Sequence, residues 1–261
     1  GEVEKLEEFY RHGARMMTLC WNFDNVLATP ALPIAGEEEE EPSSFAPNPG
    51  LPGLKEAGFR IVEAMEALGM IPDVSHLSDA GFYDVCKICR KPFVASHSNA
   101  RAISCHARNL SDDMLRQLGE HGGVAGLNYY PEFIMEPSDF AATLKGESEY
   151  ESSQTNTMEQ TAPVKDANEQ TVSSATPEEE ATREKLLSLL AKHARHMANC
   201  GGVECVGLGS DFDGFGGISA PSDAAHVGDL AWALHRSGFS DKEVDGILYK
   251  NVLRVYREVL R

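Results

Sequence analysis

The sequence is short of positive charge. Its 23 Lys and Arg stand against 41 Asp and Glu, a formal net charge of −18 at pH 7. A surface for nucleic acid needs clustered Lys and Arg to neutralise phosphates, so that class of partner is excluded. Much of the acid lies at 37–41 and 147–180, where it reads as solvated loop that aids solubility. No run of roughly 18 apolar residues occurs, so no helical membrane span is expected. No secretory-leader pattern opens the chain. The sequence begins with Gly1 and enters a helix-like stretch, VEKLEEFY, at Val3, and this abrupt start leads to the expectation that coding sequence lies upstream.

Cysteine is scarce as well, with 6 residues in 261, too few for a disulfide framework in a chain of this size. Cys86 and Cys89 form a C-x-x-C, but inside a helical pattern and without the second pair that a zinc ribbon needs. These two, with Cys20, Cys105, Cys200 and Cys205, read as buried or idle thiols.

What is present is an alternation of strand-like and helix-like segments. Strands are predicted at 15–22, 70–75, 92–96, 122–129 and 204–209. Between them, 53–68 carries Leu54, Ala57, Ile61, Met65 and Leu68 at helical spacing. Further helices are predicted at 78–90, 183–199, 228–235 and 241–260, and one opens at Ser111, an N-cap followed by Asp112 and Asp113. Residues 42–52 form a Pro-rich loop. From 137 to 182 large apolar residues thin out among Ser, Thr, Glu, Gln and Asn, and a disordered acidic insertion in a single domain is expected. Near-continuous apolar strands separated by helices predict an α/β fold with a parallel sheet covered on both faces. Five such units fit either an open doubly wound sheet or part of an eight-stranded barrel.

Three polar clusters fall just past predicted strand ends: DVSH at 73–76, ASHSN at 95–99 and GLGSDFDG at 207–214. In a β/α barrel that edge builds the active site. His76 and His97 on neighbouring strand ends, with Asp211 on the last strand, are what a metal-assisted hydrolase needs: imidazoles to hold an ion and a carboxylate to manage a water proton. Asp213 reads as part of an Asp-Gly turn. His12, His106, His121, His226 and His235 have no ligand-like setting and are read as surface residues. His193 and His196, on a helix, are read as supporting.

The segments MIPDVSHLS at 70–78, PFVASHSNAR at 92–101, RNLSDD at 108–113 and VGLGSDFDG at 206–214 resemble the membrane (renal) dipeptidase family, and 9–19 and 251–255 fit its remaining segments. The resemblance implies a (β/α)8 TIM-type barrel, here without about its first three β/α units, and an intact active site with two zinc ions. It places His76 and His97 at the second zinc, Arg108 on the C-terminal carboxylate of a dipeptide substrate, and Asp211 on the acid that orients water and carries its proton to the leaving amine. It also implies a homodimer in many members. Trp21 stands where some members have a substrate-stabilising His; its indole N–H can still donate. The implied His-x-Asp pair and bridging Glu for the first zinc are not found in the sequence, and Glu2 and Glu4 do not replace them. The 261-residue chain alone is therefore expected to be inactive or poorly folded. A related amidohydrolase acting on acylated amino acids or lactones, and an inactive or degenerate binding protein, are the alternatives left open.

Overall fold

The structure, a computed structural model, describes residues 2–33, 45–136, 138–140 and 176–260. The acidic run at 37–41 lies outside the described residues, as does most of the expected insertion. Five strands, β1 (Met16–Thr18), β2 (Ile71–Asp73), β3 (Val94–Ala95), β4 (Val124–Asn128) and β5 (Val206–Ser210), form one sheet in sequence order with every neighbouring pair parallel. Helix α1 (Glu2–Arg11) precedes β1, and the connections carry α2 (Glu56–Leu68), α3 (Asp79–Ile88), α4 (Asp112–Glu120), α5 (Pro131–Ile134) and α6 (Pro177–Gly201). After β5 come α7 (Val227–Arg236), α8 (Asp241–Asp245) and α9 (Asn251–Val259). No described helix is long and apolar enough to cross a membrane.

Side chains alternate across a strand, and the two faces of this sheet bury different partners. Ala95, Ala125 and Val206 join the main core with Ile61, Met65, Phe82, Leu115 and Leu190 from the surrounding helices. Ile71, Val94 and Val124 point the other way, against Val255 and Val259 of α9. Burying residues of this size is worth about 1.5–3 kcal/mol each, so losing either face would be costly. At the close approach of β3, β4 and β5, a Cβ on Gly126 or Gly209 would collide with the Ser96 carbonyl.

The strands are shorter than their apolar runs predict, and Asp73 shows why. Its Oδ1 accepts the backbone N–H of both Ser75 (3.0 Å) and Ser96 (2.8 Å). A side chain thus takes donors that would otherwise extend the ladder, and β2 and β3 stop at 73 and 95. The polar residues beyond are released from the pleat.

Two helices also depart from expectation. The one predicted at 183–199 begins earlier, at Pro177, inside the stretch read as insertion. Thr176 and Glu179 form a reciprocal capping box with proline in the first turn, a local signal sufficient to start a helix in polar sequence. The helix predicted at 241–260 is interrupted by a π segment, Gly246–Lys250. Asn251, just after it, is buried and donates to the carbonyls of Val203 (2.9 Å) and Val206 (2.8 Å), which pins the helix to the start of β5. Ser111 caps α4 as expected, accepting from the Met114 N–H.

Candidate metal and substrate site

The released strand ends meet at one edge of the sheet. His76 follows β2 with φ 76°, and Asp211 follows β5 with φ 69°. Left-handed backbone at a non-glycine residue costs on the order of 1–3 kcal/mol and persists only where surroundings enforce it. Gly214 leaves room for it at Asp211, since a Cβ there would strike the Asp211 carboxylate.

The imidazoles of His76 and His97 approach Nε2 to Nε2 at 2.9 Å. Each ring is fixed through its other nitrogen. His76 Nδ1 lies 2.9 Å from Asn22 Oδ1, an acceptor, so Nδ1 carries the proton. His97 Nδ1 lies 2.7 Å from Ser96 Oγ, whose hydroxyl donates to Asp73 Oδ2 at 2.6 Å. Ser96 has one proton and gives it to the carboxylate, so it accepts from His97 Nδ1–H. Both Nε2 atoms therefore present lone pairs to each other. Burial, then the Arg108 charge, lowers the pKa of both rings, which favours their neutral forms. Two converging neutral lone pairs fit a cation, and the donors are of the type zinc prefers.

Asp73 is buried, and its carboxylate is engaged by Thr18 Oγ1 (2.6 Å) and by Ser75 and Ser96. It anchors the Ser96–His97 chain rather than facing the cleft. On the other side, Asn128 Nδ2 donates to Asp211 Oδ2 at 3.0 Å. Asn128 is in turn held by Asn99, which accepts its N–H at 3.0 Å and donates to its carbonyl at 2.9 Å.

A cleft of about 430 Å³ opens beside this edge, lined among others by Trp21, His76, His106, Arg108, Tyr130 and Asp211. The volume suits a small ligand. Arg108 is buried to 4% exposure, and its Nε has no hydrogen-bond partner. Burial pulls its pKa down to about 10, while the charges of Asp73 and Asp211 act to raise it. A buried guanidinium with an unpaired donor fits an anionic group entering the cleft. Trp21 is 52% exposed, with its ring centroid 6.4 Å from that of His76. Of the residues expected from sequence, Trp21, His76, Arg108 and Asp211 thus share the cleft wall, and His97 adjoins it through His76.

His106 corrects the sequence reading. Taken as a surface residue, it is 1% exposed, stacked on Phe45 and packed against Phe133 with centroids at 5.3 and 4.4 Å. Its Nδ1 accepts the Arg108 N–H at 3.0 Å, which leaves the proton on Nε2, a buried donor without a hydrogen bond, with the Glu132 carboxylate 4.0 Å away. Burial, then the charges of Arg108 and Arg101, lower its pKa to about 3. His121 is also no surface residue: half-buried, it contacts the carbonyls of Gln117 and Cys86 through its two ring nitrogens. His193 is fully buried, accepting from Ala100 N–H and donating to the Ile134 carbonyl, a supporting role for the loop that holds Asn99. All six cysteines are free, and burial pushes Cys20, Cys86, Cys89 and Cys205 up to about 12, where thiols are unreactive.

The family model for membrane dipeptidases, peptidase family M19, matches residues 1–261. An uncharacterised dipeptidase of Schizosaccharomyces pombe is 30% identical over 257 residues, 97% of this chain and 48% of that protein. An uncharacterised Klebsiella pneumoniae protein from the pqqA 5′ region is 30% identical over 259 residues, 99% of this chain and 77% of its own length. The chain thus spans about half the length of the yeast relative. Among solved structures, a metallo peptidase from Rhodobacter sphaeroides, liganded with a phosphinate mimic of the dipeptide L-Ala-D-Ala, superposes with TM-score 0.72 at 24% identity, covering 99% of this chain and 59% of that one. An amidohydrolase from Pseudomonas aeruginosa gives 0.67 at 19% identity, covering 98% and 68%. These likenesses establish the α/β fold.

Proposed function

The chain belongs to the membrane dipeptidase family, peptidase family M19, and from that premise we propose that it takes part in zinc-dependent hydrolysis of dipeptides at the cleft between His76 and Asp211. The single observation that carries this reading is the approach of His76 Nε2 and His97 Nε2 to 2.9 Å beside a buried guanidinium with an unpaired donor. Under this reading the five strands are consecutive units of an eight-stranded barrel, and the remaining metal ligands come from units that these strands do not supply.

His76 and His97 would hold one zinc ion, with Asn22 and Ser96 fixing their tautomers. The ion, when bound, supplies a Lewis acid that activates water and polarises the scissile carbonyl. The protein groups do the rest. Arg108 binds the C-terminal carboxylate of the substrate and sets where the peptide bond lies. Asp211, held through Oδ2 by Asn128, takes the water proton and passes it to the leaving amine, so that bond cleavage releases a neutral amine. Trp21 forms an apolar wall with an indole N–H in reach of the substrate.

The test is calorimetric binding of a dipeptide with a free C-terminal carboxylate against the same dipeptide amidated, in wild type and Arg108→Ala. A preference for the free acid that disappears in the variant supports the reading. Equal binding of both ligands by the wild type favours a substrate without a carboxylate, such as a lactone, which gives Arg108 no such partner.

A further inference from the structure

A second set of metal-type donors lies on the helices and shares no residue with the cleft. Asp112 stands in the first turn of α4, while His196 and Cys200 are four residues apart on α6 and therefore on one helical face. His196 Nε2 lies 2.7 Å from Asp112 Oδ1 and 3.5 Å from Cys200 Sγ, and the three donor atoms fall within 4.8 Å of one another.

Three arrangements of Cys, His and Asp can be told apart here. A nucleophilic triad uses the two ring nitrogens separately, one for the thiol and one for the carboxylate. In this chain the same Nε2 faces both, so the ring cannot relay a proton between them. The Cys200 thiol also lacks activation, since burial and then the neighbouring Asp112 charge raise its pKa. A simple ion pair accounts for His196 and Asp112, and the thiol can donate to the same carboxylate, but that arrangement does not require all three donors to converge on one point. A cation accounts for all three.

We propose that Asp112, His196 and Cys200 form a second divalent-metal site, with an N, S, O donor set of the zinc type, that clamps α4 to α6. Zinc bond lengths of about 2.0–2.3 Å in tetrahedral geometry separate donors by about 3.3–3.6 Å. The thiol–imidazole spacing of 3.5 Å already meets this. Asp112 Oδ1 has to withdraw by roughly 0.6 Å to reach the tetrahedral separation, a small rotation for a side chain that is 58% exposed. Binding exchanges the thiol proton for the ion, Cys200–SH + M2+ giving Cys200–S−·M2+ + H+, and the Asp112 carboxylate then makes the site neutral. The thiolate favours Zn2+ or Co2+ over Mg2+ or Ca2+. Asp112 and His196 are 84 residues apart in sequence, so the clamp closes a long loop.

Cobalt titration tests this, because a thiolate ligand gives a sulfur-to-Co2+ charge-transfer band in the near ultraviolet, whereas imidazole and carboxylate ligands do not. The His76–His97 site is therefore silent in this readout, whatever its own occupancy. The wild type should develop the band to saturation, Cys200→Ser and His196→Gln should lose it, and Cys105→Ser, a change at an exposed thiol, should keep it. Circular dichroism in chelator checks that the variants fold. If a variant does not fold, protection of Cys200 from alkylation by Zn2+ in the wild type gives the same answer. Absence of the band in wild type, its persistence in Cys200→Ser, or alkylation unaffected by Zn2+ overturns the proposal.

Discussion

His97 reaches Asp73 through a single hydroxyl: Nδ1–H donates to Ser96 Oγ at 2.7 Å, and Ser96 donates to Asp73 Oδ2 at 2.6 Å. The same carboxylate ends two strands by capturing the backbone of Ser75 and Ser96. One buried acid thus sets both where the strands stop and which nitrogen of His97 faces His76.

Ser96→Ala is expected to keep the fold, because the Ser96 N–H still donates to Asp73. It frees His97 to adopt the other tautomer. Removing a group that orients a metal-binding histidine lowers metal affinity about 10–100-fold. Competition for Zn2+ with a chromophoric chelator reads this out, and unchanged affinity would remove Ser96 from the account.

Asp211→Asn is expected to reduce dipeptide turnover by about 10²–10⁴-fold, the range for loss of a general acid–base group. The assay is run in the family member that carries the complete ligand set. Asn128→Ala, which removes the Asp211 contact, should lower kcat with little change in KM. A change confined to KM would mean that Asn128 serves binding instead.

Stability should fall as pH drops from neutral. The folded pKa values of His106 and His193 are depressed to about 3 and about 4, below the unfolded value of about 6.5. Between those limits the unfolded chain binds more protons, so ΔG of unfolding decreases as pH falls from about 6.5 toward 3–4. The slope is at most about 1.4 kcal/mol per pH unit for each histidine. Urea midpoints at several pH values, with chelator present, should show this fall, and His106→Gln should make it shallower.

His193→Ala leaves the Ala100 N–H and the Ile134 carbonyl, both in a buried region, without their partner. Each buried unpaired polar group costs about 1–3 kcal/mol. The expected loss for the two groups is about 2–6 kcal/mol, read as a lower midpoint of denaturation. A change within about 0.5 kcal/mol would mean that water takes over both bonds.

The sequence shows His76, His97 and Asp211 because each stands in a polar cluster after an apolar run, and Ser111 because its cap is purely local. Arg108 was legible only through the motif around it. His106 was not: it lies in an irregular loop, and what buries it, Phe45 and Phe133, comes from far along the chain. Asn128 closes a strand pattern with no signal of its own, and its partner Asp211 is 83 residues away. The break before Asn251 was hidden for a similar reason, since its acceptors belong to the start of β5. Local periodicity places elements; the contacts that tune a site are long-range.

His76 and His97 together are expected to hold a zinc ion. Zinc content by mass spectrometry, after equilibration and gel filtration, tests it most directly when Cys200→Ser is compared with the same protein also carrying His76→Ala and His97→Ala. Bound zinc is expected in the first and its loss in the second. Equal zinc in both, or none in the first, would contradict it.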